Sequence, residues 1–120
     1  MSKTILIGLA GMIGTLLRYW LSEFVARQSG GSFPWGTLVV NILGCLIAGA
    51  VFHLTEGNPT LRTVVLIGLL GGFTTFSAYG LQTFTLLRDG AFGLATLNVV
   101  VSNVLGLFMV WIGYVVAKAL

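Results

Sequence analysis

Apolar residues fill four long runs of this chain, about 4–24, 37–55, 63–87 and 91–117, and polar residues collect between them. A helix crossing a hydrocarbon core of about 30 Å needs about 20 mostly apolar residues, and each run is close to that length or beyond it. The connections are brief and carry turn formers: QSGGSFPWG after the first run, EGNPTLR after the second and RDG after the third. The pattern predicts an all-α integral membrane protein with four transmembrane helices in a single domain, 1–120, and no room for a soluble module. Lys3 ahead of the first run resembles the opening of a signal peptide. The run continues through Arg18 without a convincing cleavage site, so it is read as a helix.

Within the third run lies LLGGFTTFSAYG, residues 69–80. At roughly 1.5 Å per residue, an unbroken helix over this run is longer than one span requires. Gly71 and Gly72 can end a helix through left-handed backbone, and Thr74, Thr75 or Ser77 can cap a new one. These residues predict two half-helices joined by an unwound segment at mid-bilayer, with a tilted, continuous helix as the alternative. Irregular backbone at that depth persists only when it is buried in protein or faces a cavity, and its freed carbonyls are natural cation ligands.

Other polar residues sit inside the runs: Arg18 and Asn41 in the first two, Gln82, Thr83 and Thr85 in the third, and Asn98, Ser102 and Asn103 in the fourth. Polar groups in lipid cost free energy unless paired or wetted, so these either bond a neighbouring helix or line an aqueous path. Thr37 and Asn41 share a helix face, as do Asn98, Ser102 and Gly106. Glu23, Glu56 and Asp89, the three acids, all fall near the ends of runs. Hydroxyls and amides with an arginine nearby and no carboxylate suit an anion better than a cation. Small residues recur beside them. Gly8, Gly11 and Gly14 are three apart, while Gly44 and Ala48, Cys45 and Gly49, Gly68 and Gly72, and Ser102 and Gly106 are four apart. Such spacing makes flat faces for close helix contact.

Composition narrows the possibilities. The chain is 57% hydrophobic and 8% charged, with seventeen glycines, and its mean hydropathy is +1.03. A net charge of +3 spread singly along the chain is too thin for a nucleic-acid surface. A single cysteine, Cys45, excludes an internal disulfide and a cysteine-based metal cluster, and a single histidine, His53, argues against a histidine-rich metal site. Without a Ser/His/acid set, a P-loop or metal-ligand spacing, nothing marks an enzyme.

The charges also bear on orientation. Four spans return both termini to one side, with Lys3, Arg62 and Lys118; Arg27 and Arg88 lie on the other, and Arg18 a little deeper in the first span. So even a distribution gives the positive-inside rule little to act on. The chain is expected to insert both ways and pair as an antiparallel homodimer; the alternative is an orientation fixed by another signal, such as the first helix. In such a pair the two-fold axis lies in the membrane plane near mid-depth, where a mid-span break meets its own copy. Two sets of freed carbonyls would then surround one ion, with oxygen ligands and no carboxylate favouring a hard, singly charged cation, which could be a structural plug rather than cargo.

GGFTTFSAYG, with WGTLVVNILG at 35–44 and GMIGTLLRYW at 11–20, resembles the bacterial fluoride channels of the Fluc/CrcB family over nearly the whole chain. The resemblance implies a multi-pass protein of the bacterial inner membrane, an antiparallel dual-topology homodimer with two pores, and passive fluoride export that relieves fluoride toxicity. It also implies a central, structural, non-transported sodium ion held by the backbone carbonyls of Gly71 and Thr74 from both subunits. By motif position, Phe76 and Tyr79 match the family's pore aromatics, Asn41 the asparagine of the second helix near the ion path, and Arg18 the vestibule arginine. Ser102 matches a polar-track serine, and Thr83 is taken with it as a track residue. The chain departs from the family's pattern at Tyr79, where phenylalanine is usual. A tyrosine ring keeps the positively polarised edge that faces an anion, and its hydroxyl adds a donor. Gln82 stands where some members carry glutamate, and Asn98 and Gly106 also vary.

Small proton-coupled multidrug exporters share four short helices and antiparallel pairing. They need a membrane-embedded carboxylate in the first helix, where this chain has only Glu23 near the end. A non-transporting assembly subunit would need neither the polar stripe nor the break. The partners that the resemblance implies are a second copy of the chain and fluoride, with the lipid bilayer around them.

Overall fold

Four spans follow one another along residues 2–120, which this computed structural model describes: Lys3–Ser29, Trp35–Leu54, Pro59–Arg88 and Phe92–Ala119. The first, second and fourth are the single helices α1 (Lys3–Ser29), α2 (Trp35–Leu54) and α6 (Phe92–Ala119). The third is composite: α3 (Pro59–Thr63), a π-helical segment (Val64–Leu69), α4 (Leu70–Phe73) and, beyond a break, α5 (Phe76–Arg88). No strand occurs among the described residues. The chain is an all-helical membrane protein.

Local chemistry sets the helix ends. Ser2 Oγ accepts from Ile5 N at 3.3 Å to open α1, which runs past residue 24 and takes Arg27 into its last turn before Gly30 stops it at φ 61°. Asn58 Oδ1 accepts from Leu61 N at 3.1 Å, and Pro59 occupies the first helical position of the third span. The turn before it is fastened by Arg62, whose Nη2 donates to the Phe52 carbonyl at 2.7 Å and whose Nε donates to Thr55 Oγ1 at 3.2 Å. A cation there meets the negative end of the α2 dipole.

Small residues hold the bundle together, as their spacing predicts. The third span packs on α1 and α6 packs on α2. A side chain on Gly14 would collide with the Leu69 carbonyl, and one on Gly72 with the Gly11 carbonyl. Across the other pair, Gly49 lies against the Val110 carbonyl and Gly113 against the Leu46 carbonyl. In lipid, where apolar surface gains little by leaving the solvent, backbone approach of this kind supplies the dispersion contacts that associate helices. The buried apolar core is correspondingly small: Val40, Leu70 and Phe73, with Leu21, Ile47, Ala48 and Leu66 against it.

The third span differs from expectation in two ways. Gly71 and Gly72 do not end the helix, for both remain helical, and the left-handed glycines are Gly30, Gly31, Gly57 and Gly90. The break falls instead at Thr74 (φ −89°, ψ 159°) and Thr75 (φ −150°, ψ 115°), both extended. Upstream, the π-helical turn places Gly68 so close to α1 that a Cβ would stand 2.9 Å from the Ile7 carbonyl. Apolar periodicity carries no mark of that turn, because no proline or polar residue interrupts Val64–Leu69.

Candidate functional site

Asn41 holds the break open. Its Nδ2 donates to the Thr75 carbonyl at 2.9 Å and its Oδ1 accepts from Thr75 N at 2.8 Å, so one carboxamide on α2 satisfies both main-chain groups of an extended residue. Thr75 Oγ1 in turn accepts from Ala78 N at 3.1 Å and caps α5. In an unbroken helix the Thr75 N–H would bond the Gly71 carbonyl; here Asn41 takes that donor. The Leu70 carbonyl accepts from both Thr74 N and Thr74 Oγ1 at 2.9 Å, whereas no hydrogen bond among the described residues reaches the carbonyls of Gly71 or Thr74.

Gly71 and Thr74 border a cavity of about 410 Å³ that Asn41, Phe76, Tyr79 and Ser102 also line, together with Gly44, Cys45, Thr75 and Asn103. The rings of Phe76 and Tyr79 lie 5.3 Å apart, centre to centre, at 45°. Phe76 is 82% exposed, so in the single chain the cavity's aromatic wall is uncovered at the depth of the break. No carboxylate touches it.

The structure puts Thr83 and Arg18 elsewhere. Thr83 lies behind the cavity wall: its hydroxyl donates to the Tyr79 carbonyl at 2.8 Å and accepts from Asn98 Nδ2 at 2.9 Å. Asn98 Oδ1 accepts from Ser102 Oγ at 3.3 Å, making a Thr83–Asn98–Ser102 chain between α5 and α6. At 2% exposure Asn98 is among the most buried side chains in the bundle. The sequence marked it as polar and on the face of Ser102, but its pairing with Thr83 depends on the α5–α6 packing. Arg18 lines a second cavity, about 290 Å³, with Thr15, Tyr19, Ser22, Thr37, Thr75, Ala78 and Gln82. Thr75 borders both cavities, so the Asn41–Thr75 clamp stands between them. In the second, Gln82 Oε1 is buried without a protein partner.

Of the other residues singled out, Cys45 is half-buried on the larger cavity, and the His53 ring stands edge-on to Tyr114 at 5.5 Å where α2 meets α6. Among the described residues no group of three His, Cys, Asp or Glu side chains could hold a metal.

Comparison with known proteins bears on what this arrangement serves. A family profile described as "CrcB-like protein, Camphor Resistance (CrcB)" matches residues 5–114. The chain is 46% identical to the fluoride-specific ion channel FluC of Citrifermentans bemidjiense, over the full length of both. It is 49% identical to that of Opitutus terrae, covering all of this chain and 96% of the relative. With the FluC of Shewanella frigidimarina it shares 44% identity over 94% of each. Both the profile and the relatives run through the break, the glycine faces and the cavity, so the chain belongs to the CrcB-like protein family.

Proposed function

We propose that this protein is a fluoride-selective passive ion channel of the bacterial inner membrane, exporting fluoride from the cytoplasm. The observation that carries the reading is the larger cavity, where a helix broken at mid-span, two aromatic rings and an amide- and hydroxyl-bearing wall meet without a carboxylate. Fluoride is small and strongly hydrated. It enters a narrow path only where hydrogen-bond donors replace its water, and chloride is held back by its size. The second Nδ2 hydrogen of Asn41 and the hydroxyl of Tyr79 serve as donors, and the positively polarised edges of Phe76 and Tyr79 fill the remaining directions. A negative interior drives an anion outward by about 2.3 kcal/mol per 100 mV, so no coupled proton is needed. Arg18, in the adjoining cavity, raises the local anion concentration ahead of the clamp.

The working unit is an antiparallel homodimer with two pores. Phe76, the Thr75 segment and Asn103 would otherwise face hydrocarbon, and a second copy related by an axis in the membrane plane covers them while bringing its own break to the same depth. The residues fit a structural sodium ion: the carbonyls of Gly71 and Thr74 accept no hydrogen bond among the described residues, both residues border the cavity, and oxygen ligands without a carboxylate suit a hard monovalent cation. Bound there, sodium would balance the carbonyl dipoles of the two breaks and fix their geometry.

Fluoride efflux from liposomes loaded with potassium fluoride, with valinomycin to release the charge, tests the reading. Rapid release of fluoride but not chloride is expected, with Phe76→Ile abolishing it while the dimer stays intact. Release only under a proton gradient would favour an exporter, and no release would favour an assembly subunit.

A further inference from the structure

One hydroxyl proton on the wall of the larger cavity has no acceptor among the described residues. Asn103 Nδ2 donates to the Val99 carbonyl at 2.8 Å, one turn back along α6, and to the Tyr79 hydroxyl at 3.2 Å. A carboxamide nitrogen carries two hydrogens and accepts none, so both are committed. The Val99 carbonyl also fixes which way the amide faces, since turning it over would set oxygen against oxygen. The Tyr79 oxygen is therefore an acceptor toward Asn103, and its own hydrogen points to another partner. No acceptor among the described residues takes it.

Neighbouring hydroxyls are differently placed. The Thr83 proton goes to the Tyr79 carbonyl at 2.8 Å and the Ser102 proton to Asn98 Oδ1 at 3.3 Å, so neither is free for a ligand without breaking an internal bond. Tyr79 and Asn103 both border the cavity of about 410 Å³, and the Phe76 ring lies 5.3 Å from that of Tyr79.

We propose that the Tyr79 phenol O–H is a direct hydrogen-bond donor to fluoride in this pore, and that Asn103 is the positioning residue that turns it toward the anion. The inference rests on the channel reading above. An O–H donor on an anion makes a short, charge-assisted bond, stronger than the contact of a ring edge. Asn103 contributes by occupying the acceptor side of the phenol, which keeps the proton from being spent on the α6 backbone.

The test is fluoride current across a planar bilayer, recorded against fluoride concentration for the full-length protein, Tyr79→Phe, Asn103→Leu and the double variant. Tyr79→Phe keeps the ring and removes only the hydroxyl; it is expected to raise the half-saturating fluoride concentration about tenfold, the scale of losing a hydrogen bond to a charged group. Asn103→Leu should shift it in the same direction, and the double variant should match Tyr79→Phe alone, because Asn103 acts through the hydroxyl. An unchanged half-saturating concentration in Tyr79→Phe would overturn the donor. A further shift on adding Asn103→Leu to Tyr79→Phe would overturn the positioning role. If Asn103→Leu does not assemble, Asn103→Ala takes its place in the cycle. Absence of fluoride current in the unsubstituted protein would instead remove the channel reading on which both rest.

Discussion

At the scale of single residues, Asn41 organises the site. Its Oδ1 takes the Thr75 N–H that would otherwise satisfy Gly71 while its Nδ2 donates to the Thr75 carbonyl, so one α2 side chain both holds the break in the third span and frees a carbonyl there. Asn41→Leu keeps the volume but leaves two main-chain groups unpaired, each costing about 1–3 kcal/mol. The expected result is a clear fall in thermal stability in detergent; an unchanged melting temperature would show that the clamp is dispensable. Asn41→Asp replaces the donating nitrogen by an anionic oxygen against the Thr75 carbonyl and sets a like charge beside the path, so fluoride current should fall steeply. An asparagine in an apolar run is visible in the sequence as an expensive residue needing a partner. Which partner, 34 residues away on another span, is fixed only by packing.

Among elements, helix contact runs through glycine. Gly49 and Gly113 set the approach of α2 and α6, and Gly14 and Gly72 that of α1 and the third span. Gly49→Val would drive a side chain into the Val110 carbonyl, and overpacking of this kind typically costs about 1–3 kcal/mol. Gly8→Ala meets nothing within 4 Å. Thermal unfolding of both in detergent should show a large drop for the first and little change for the second; equal behaviour would contradict packing through bare backbone. The four runs and their small-residue faces were legible because lipid imposes length and close approach on any helix. The break was legible, including Thr75 among the expected caps of the second half-helix, but the first half-helix runs past the glycines expected to end it. Glycines signalled flexibility, but Gly72 was needed for proximity to Gly11, and two threonines with an outside clamp made the extended turn. The π-helical turn was not legible, since it answers to the fit of Gly68 on α1 and leaves no polar trace.

For the molecule as a whole, the main features are an exposed aromatic wall at mid-span and a charge distribution with little sidedness. Phe76 at 82% exposure needs a cover that can also meet the polar groups beside it, and the second, inverted copy proposed above would provide one. Cysteines added singly to either terminus should label equally from both faces of intact membranes; strict one-sided labelling would rule out antiparallel pairing. If sodium balances the carbonyls of the two breaks, replacing it with N-methylglucamine during purification should lower both the melting temperature and the dimer fraction, while exchanging chloride for another anion should not. Membership of the CrcB-like family was legible from three separated motifs. The arrangement that gives those motifs chemical meaning, a clamp with a cavity on either side, required the folded chain.

The most direct test of a passive, selective fluoride path is the reversal potential of the purified protein in a planar bilayer, with a fluoride gradient at equal chloride and no proton gradient. A fluoride-selective channel predicts reversal at the fluoride equilibrium potential, about 59 mV for a tenfold gradient, unmoved when a chloride gradient is added. Reversal near zero, or at a potential that follows chloride or protons, would contradict it.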